Sequence, residues 1–400
     1  MKLNIKQTTT VHNHKISILN MAFRPFFLMG SLLAMSYIML WVLSLYGQLH
    51  LDVYGGIMWW HIHEMLFGFV GAIVIGFLLT AVKTWTGLPS VHGSTLVCLV
   101  LLWLMGRIFM FAIAWLNPGL IALIDLAFLP IAGAFLAIPI IKKRMWRNLI
   151  FLPILLLMTY ANGLMHCATY LSDPTHLIRA TNQQVFLVTL LMVILGGRVI
   201  PMFTANSTQT PRVGTIPILE WFSILSVLAL VLLQFLPLAL PAKWLAGLFT
   251  SAALIHFIRL FRWRFWVTLR TPLVWSLHLS YACIPLGYLL FALSLVSDIF
   301  NRSQAIHTLT VGAISLMILA MISRVSLGHT GRKIVVGKTV TVAFLLVFAA
   351  FIIRVFGTKL GMDIAYVYVV AAVMWSAAFA LYLIKYSKLL ISPRIDKKPG

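Results

Sequence analysis

Residues 59–68 read WWHIHEMLFG, and three of the ten can ligate a metal or carry a proton: His61, His63 and Glu64. Glu64 is one of only two glutamates in 400 residues. Neutral imidazole is the commonest side-chain metal ligand, and paired imidazoles, or one imidazole beside an open position, suit haem iron or copper. On a regular helix, residues two apart point about 200° from each other. His61 and His63 therefore do not serve one ion unless the helix start is unwound. His61, Glu64 and Met65 share a face, so Glu64 can accept a second imidazole N–H or carry protons. A hydrogen bond tying this segment to a neighbouring helix is the plainer reading of Glu64.

The elements that hold these groups are set by composition. The chain is 62% apolar and 10% charged, with a mean hydropathy of +1.01. A soluble domain of this length could not cover its surface with so few charges. Apolar runs long enough to cross a bilayer recur from end to end. They predict an all-α polytopic membrane protein with twelve transmembrane helices, near 26–46, 59–82, 94–115, 119–141, 149–171, 184–205, 217–236, 239–260, 272–295, 304–327, 338–357 and 362–386. Residues 1–25 lack an apolar core with a cleavage site, so the first run is expected to be a membrane helix itself. Cys98, Cys167 and Cys283 all fall in apolar runs, which argues against a disulfide framework.

The formal charge of +22 is mostly topology. With both termini cytoplasmic, the inner loops and helix ends collect most of the 30 basic residues, including Lys142, Lys143, Arg144, Arg147, Arg262, Arg264, Arg270, Arg332 and Lys333. The outer side keeps Arg179, Lys243, Arg302, Arg354 and Lys359. That alternation is the positive-inside pattern and points to the lipid bilayer, not nucleic acid, as the partner of this charge. Phe261-Arg262-Trp263-Arg264-Phe265-Trp266 reads accordingly as an interfacial belt. The organisation expected is a cytoplasmic tail over 1–22, one membrane domain over 23–388 and a second tail over 389–400, both tails disordered and cationic.

Given this topology, His61 and His63 at the start of the second helix, His166 near the end of the fifth and His307 in the first turn of the tenth reach one depth just below the outer face. Ionisable groups in a span are costly and usually face an interior site. The plainer alternative is a set of histidines bonded to backbone carbonyls. His256, His278 and His329 fall toward the cytoplasmic side. Arg107 and Asp125 flank the Asn117-Pro118 turn at matching depth, which predicts an intramembrane ion pair; the alternative for Arg107 is an anionic group such as a haem propionate. Gly196-Gly197-Arg198 with Pro201 is expected to loosen the sixth helix. A weak echo links His63 to Thr86-Gly87 with His307 to Thr330-Gly331, each 23 residues to the threonine, as a four-helix repeat would produce.

Several of these motifs together resemble the NnrS family. They are Phe23-Arg24-Pro25-Phe26-Phe27, Trp60-His61-Ile62-His63-Glu64-Met65-Leu66-Phe67-Gly68, Gly76-Phe77-Leu78-Leu79-Thr80-Ala81-Val82, Gly196-Gly197-Arg198-Val199-Ile200-Pro201, His307-Thr308-Leu309-Thr310-Val311-Gly312-Ala313 and Leu327-Gly328-His329-Thr330-Gly331-Arg332. One departure is Lys83-Thr84, where that family's pattern has a proline-led pair. The resemblance implies a twelve-span bacterial inner-membrane protein holding haem b and copper and acting in nitric oxide metabolism and nitrosative stress. By motif position His61, His63, Glu64, His166, His278, His307 and His329 match the family, without dividing them between haem and copper. Nitric oxide is then the expected ligand, either bound only or also reduced, the latter with Glu64 as proton donor and an unknown electron donor. The alternatives from other classes are a proton- or metal-coupled transporter and a quinone-linked electron carrier.

Overall fold

Twelve helices make up most of residues 17–236 and 238–396, the part of the chain that the computed structural model describes. They are α1 Phe23–Leu45, α2 Ile57–Thr86, α3 Gly93–Phe109, α4 Pro118–Lys142, α5 Phe151–Tyr170, α6 Pro174–Thr208, α7 Pro217–Phe235, α8 Ala242–Arg262, α9 Pro272–Val296, α10 Arg302–His329, α11 Lys338–Phe356 and α12 Ile364–Ile391. No strand occurs among the described residues. Eleven of the twelve are long and apolar enough to cross a membrane, and α3 is an apolar helix of 17 residues. The chain is an all-α, polytopic membrane protein.

Three helices form its centre. In α2, α6 and α10, 78%, 72% and 72% of the most apolar window is buried, against at most 56% in the other long spans. They stand four helices apart, the interval of the echo between His63 and His307. The remaining helices pack around them in chain order, and α12 closes against α1. At that closure Arg24 donates from Nη1 to the carbonyls of Leu390 and Ser392, which puts both ends of the described chain on one face.

Both α2 and α10 change character just after their histidines. Each starts as a regular helix, over Ile57–His63 and Arg302–His307, widens into π turns over Glu64–Phe69 and Thr308–Ser315, and returns to α geometry. The widened turns are tied to neighbours: Gln184 of α6 donates to the Leu66 carbonyl at 3.1 Å and the Trp103 indole of α3 to that of Gly68 at 3.0 Å. Beyond each helix a glycine sits in the left-handed region, Gly87 at φ 69° and Gly331 at φ 76°.

Four expectations change. The third helix ends at Phe109, and the Met110 carbonyl accepts instead from the backbone N–H of Tyr54. The sixth begins ten residues early, because Pro174 opens it and the Asp173 carboxylate caps Thr175 N at 2.8 Å. It also runs unbroken through Pro201; Gly197 is small because the Arg259 guanidinium lies against it. Residues 17–22 and 392–396 are not free tails: Met21 and Ala22 are buried, and Arg394 donates to the His329 carbonyl. The rest of the expected tails, 1–16 and 397–400, lies outside the described residues.

Candidate functional site

The glycine pair Gly55-Gly56, at φ 74° and 80°, turns the chain into α2 and leaves two turns of regular helix before it widens. His61 and His63 sit on those turns and face opposite ways, as their spacing requires. Two separate sites result.

His61 lines a cavity of about 440 Å³ between α1, α2, α6, α10, α11 and α12. His307 enters the same cavity from α10, and Arg302 of α10 and Arg354 of α11 line it as well. Most of the wall is aliphatic or aromatic. Trp41 stacks on His61 with ring centroids 4.2 Å apart and planes 22° from parallel. The His61 Nδ1 is buried without a partner. The His307 Nδ1 lies 2.7 Å from the Ser303 carbonyl oxygen, and Arg354 donates to the Ser303 hydroxyl at 3.1 Å. Arg354 also lies over the Tyr368 ring at 4.7 Å. From α6 comes Asn182, nearly fully buried, with an unpartnered Oδ1.

His63 belongs to a second, fully buried site among α2, α3, α4 and α5. Its ring is clamped between Trp59, at 4.6 Å and 8° from parallel, and Phe67. Its Nδ1 lies 2.9 Å from Glu64 Oε1, and its Nε2 lies 3.0 Å from both Asp125 Oδ2 and Asn162 Oδ1. His166 Nε2 reaches the same Asp125 oxygen at 3.1 Å, and Asn162 Nδ2 donates to it at 2.6 Å. Arg107 pairs with the other oxygen of Asp125, and its Nε lies 3.4 Å from Glu64 Oε2. The intramembrane ion pair of α3 and α4 is thus present, enlarged by Glu64. One donor atom each from His63, Asp125 and His166 fall within 4.8 Å of one another, close enough for a single ion to bridge. Two carboxylates against one guanidinium leave a negative charge in a dry interior, which an imidazolium or a bound cation would neutralise. At the rim the Tyr54 hydroxyl lies 3.4 Å from His166 Nδ1, and burial together with the Asp125 carboxylate pushes that phenol above its usual pKa.

The four outer histidines therefore divide into His61 with His307 and His63 with His166. Glu64 serves His63 and Arg107 rather than His61, because the helix leaves α geometry at residue 64. Arg107 belongs to the buried cluster and not to the wall of the large cavity. His278 and His329 lie at the opposite face, away from both sites. His278 Nε2 is 2.9 Å from the Thr204 hydroxyl, and His329 packs on Phe23 with centroids 5.7 Å apart. His256 bonds Tyr281 at 2.7 Å, beside the Arg259–Glu220 ion pair.

Asn162, Tyr54, Trp41, Asn182, Arg302 and Arg354 were not singled out by the motifs. Two left a signal: Asn162 stands one helical turn before His166, and Thr181-Asn182-Gln183-Gln184 puts four polar residues in a row in a span. A family model described as NnrS protein matches residues 17–394. No curated protein matches the chain.

Proposed function

The chain belongs to the NnrS family, and from that premise we propose that it is a haem- and copper-binding membrane protein of nitric oxide metabolism and nitrosative-stress defence. Haem is assigned to the cavity between α2 and α10, and copper to His63, Asp125 and His166. The observation that carries this reading is one apolar cavity that takes imidazoles from α2 and α10 and guanidiniums from α10 and α11.

The residues fit those groups. The cavity has the size of a small-molecule or cofactor site. His61 and His307 both line it, the His61 Nδ1 without a hydrogen-bond partner, and Arg302 and Arg354 add two cations that could pair with the carboxylates of a porphyrin. Two imidazoles and a carboxylate suit a divalent copper or zinc ion. When bound, haem supplies an iron centre for nitric oxide and for one-electron chemistry. The chain does the rest. Its aliphatic wall excludes water, and half-exposed Met58 and Ile178 at the cavity edge give an apolar molecule a route in from lipid. Reduction of two NO with two electrons and two protons gives N₂O and water. Glu64, buried with Oε2 lacking a hydrogen bond, is the residue assigned to proton delivery in that reaction, and the electrons come from a donor not yet identified.

The test is purification in mild detergent from cells replete in haem and copper. Optical spectra would be taken oxidised, reduced and with NO, with metal content by mass spectrometry. The expected result is a Soret band that shifts with reduction and with NO, and copper that is lost in Asp125→Ala while haem stays. A flat spectrum overturns the haem assignment. Copper content unchanged in both Asp125→Ala and His166→Ala overturns the copper assignment.

A further inference from the structure

We propose that the two imidazoles of the large cavity are not equivalent: His307 is the iron ligand, and His61 is a hydrogen-bond donor to a small molecule bound opposite it. This rests on the haem assignment above and adds a division of labour to it.

A neutral imidazole has one N–H, and the partner of one ring nitrogen decides what the other can do. His307 Nδ1 has a carbonyl oxygen 2.7 Å away, that of Ser303. A carbonyl only accepts, so the proton sits on Nδ1 and the Nε2 lone pair faces the cavity. That is the state of a ligating histidine, whose second nitrogen donates to a carbonyl and so gains basicity. The same Ser303 holds Arg354 through its hydroxyl, which links the ligand to a cation lining the cavity.

His61 is placed the other way. Its Nδ1 is buried and has no partner. Were Nε2 to ligate, the proton would lie on Nδ1 as a buried donor without an acceptor, the costlier of the two orphan states. With the proton on Nε2, only an acceptor lone pair is left unmatched, and an N–H points into the cavity. Trp41, stacked face to face on the ring, restricts its rotation. The stack also leaves the ring edge as a polar part of a mostly apolar wall. A small acceptor such as a diatomic oxide of nitrogen is the class of molecule this edge would hold.

The test uses the full-length haem-loaded protein and three variants, His61→Leu, His61→Gln and His307→Gly, read by haem content, optical and paramagnetic-resonance spectra and the rate of NO release. Ferrous wild type is expected to be five-coordinate and high-spin. His61→Leu keeps its haem and spin state but releases NO about tenfold faster, the worth of one net hydrogen bond. His61→Gln, which retains a donor, recovers most of the slow release. His307→Gly loses the Soret band, and free imidazole restores it, separating a lost ligand from a lost fold. A six-coordinate low-spin wild type that turns high-spin in His61→Leu overturns the proposal and leaves the haem assignment standing. So does loss of haem in His61→Leu with retention in His307→Gly. Wild type without a Soret band overturns both.

Discussion

Gly68 lies where α2 passes beneath the Arg107 guanidinium, and the residue type follows from that contact. A Cβ there would come within 2.6 Å of Arg107 Nη1 and 2.8 Å of Glu64 Oε2. Neither group can step aside, because both are buried and held in the cluster with Asp125 and His63. Gly68→Ala is therefore expected to cost about 1–3 kcal/mol, the range of overpacked interiors, and to lower the thermal midpoint. Gly71→Ala, with nothing within 4 Å of its Cβ, should leave it unchanged. Arg107→Leu removes the guanidinium that faces two carboxylates, and a broken buried pair of this kind costs about 3–5 kcal/mol. Thermal unfolding of the three variants in one detergent orders them, and an Arg107→Leu midpoint at the wild-type value would contradict a structural role for that pair.

The widened turns of α2 and α10 act at the scale of the element. Where the helix is regular, each residue advances the ring of side chains by about 100°. Removing one residue from Glu64–Phe69 would tighten the wide turn and swing His61 and His63 away from their partners without shortening the apolar span below membrane length. Deletion of Leu66 is thus expected to abolish copper content and to speed NO release, while the protein still inserts and keeps its haem on His307. Metal analysis of the membrane-extracted protein tests this, and full copper content in the variant would show that the wide turns do not set the histidines. Helix positions are legible in the sequence because apolar runs mark them: each of the twelve helices overlaps such a run, although α3 stops short at Phe109 and eleven of the twelve are long enough to cross a membrane. The extension of α6 over 174–183 is not, because its residues are polar and its start is fixed by the Asp173 cap. That extension brings Thr181 and Asn182 to the cavity. The π turn of α2 left no mark either, since its freed carbonyls are taken up by Gln184 and Trp103 from other helices. The same holds for the partition of the site. Spacing alone separates His61 from His63, but only packing shows that His63 meets Asp125 and His61 shares a cavity with His307.

For the molecule as a whole, the sidedness of the charge decides what the sites can reach. The ends of α2, α4 and α10 that gather Lys83, Lys142, Lys143, Arg144, Arg332 and Lys333 lie opposite the ends that carry the cavity and the buried cluster. Lysine and arginine near span ends are retained on the cytoplasmic side, so the cavity is expected to open toward the other compartment. A cysteine placed at exposed Ser172, in the turn before α6, and another at exposed Thr215, before α7, report on the two faces. In a background with Cys98, Cys167 and Cys283 replaced, a membrane-impermeant maleimide is expected to label Ser172→Cys in intact cells and Thr215→Cys only after permeabilisation. The reverse pattern would put His61, His307, Arg302 and Arg354 at the cytoplasmic face. Any protons for nitric oxide reduction would then come from inside the cell, and a donor of electrons at the cavity mouth would have to be cytoplasmic. With the expected pattern, the short way to the sites is from outside the cytoplasm or from within the lipid.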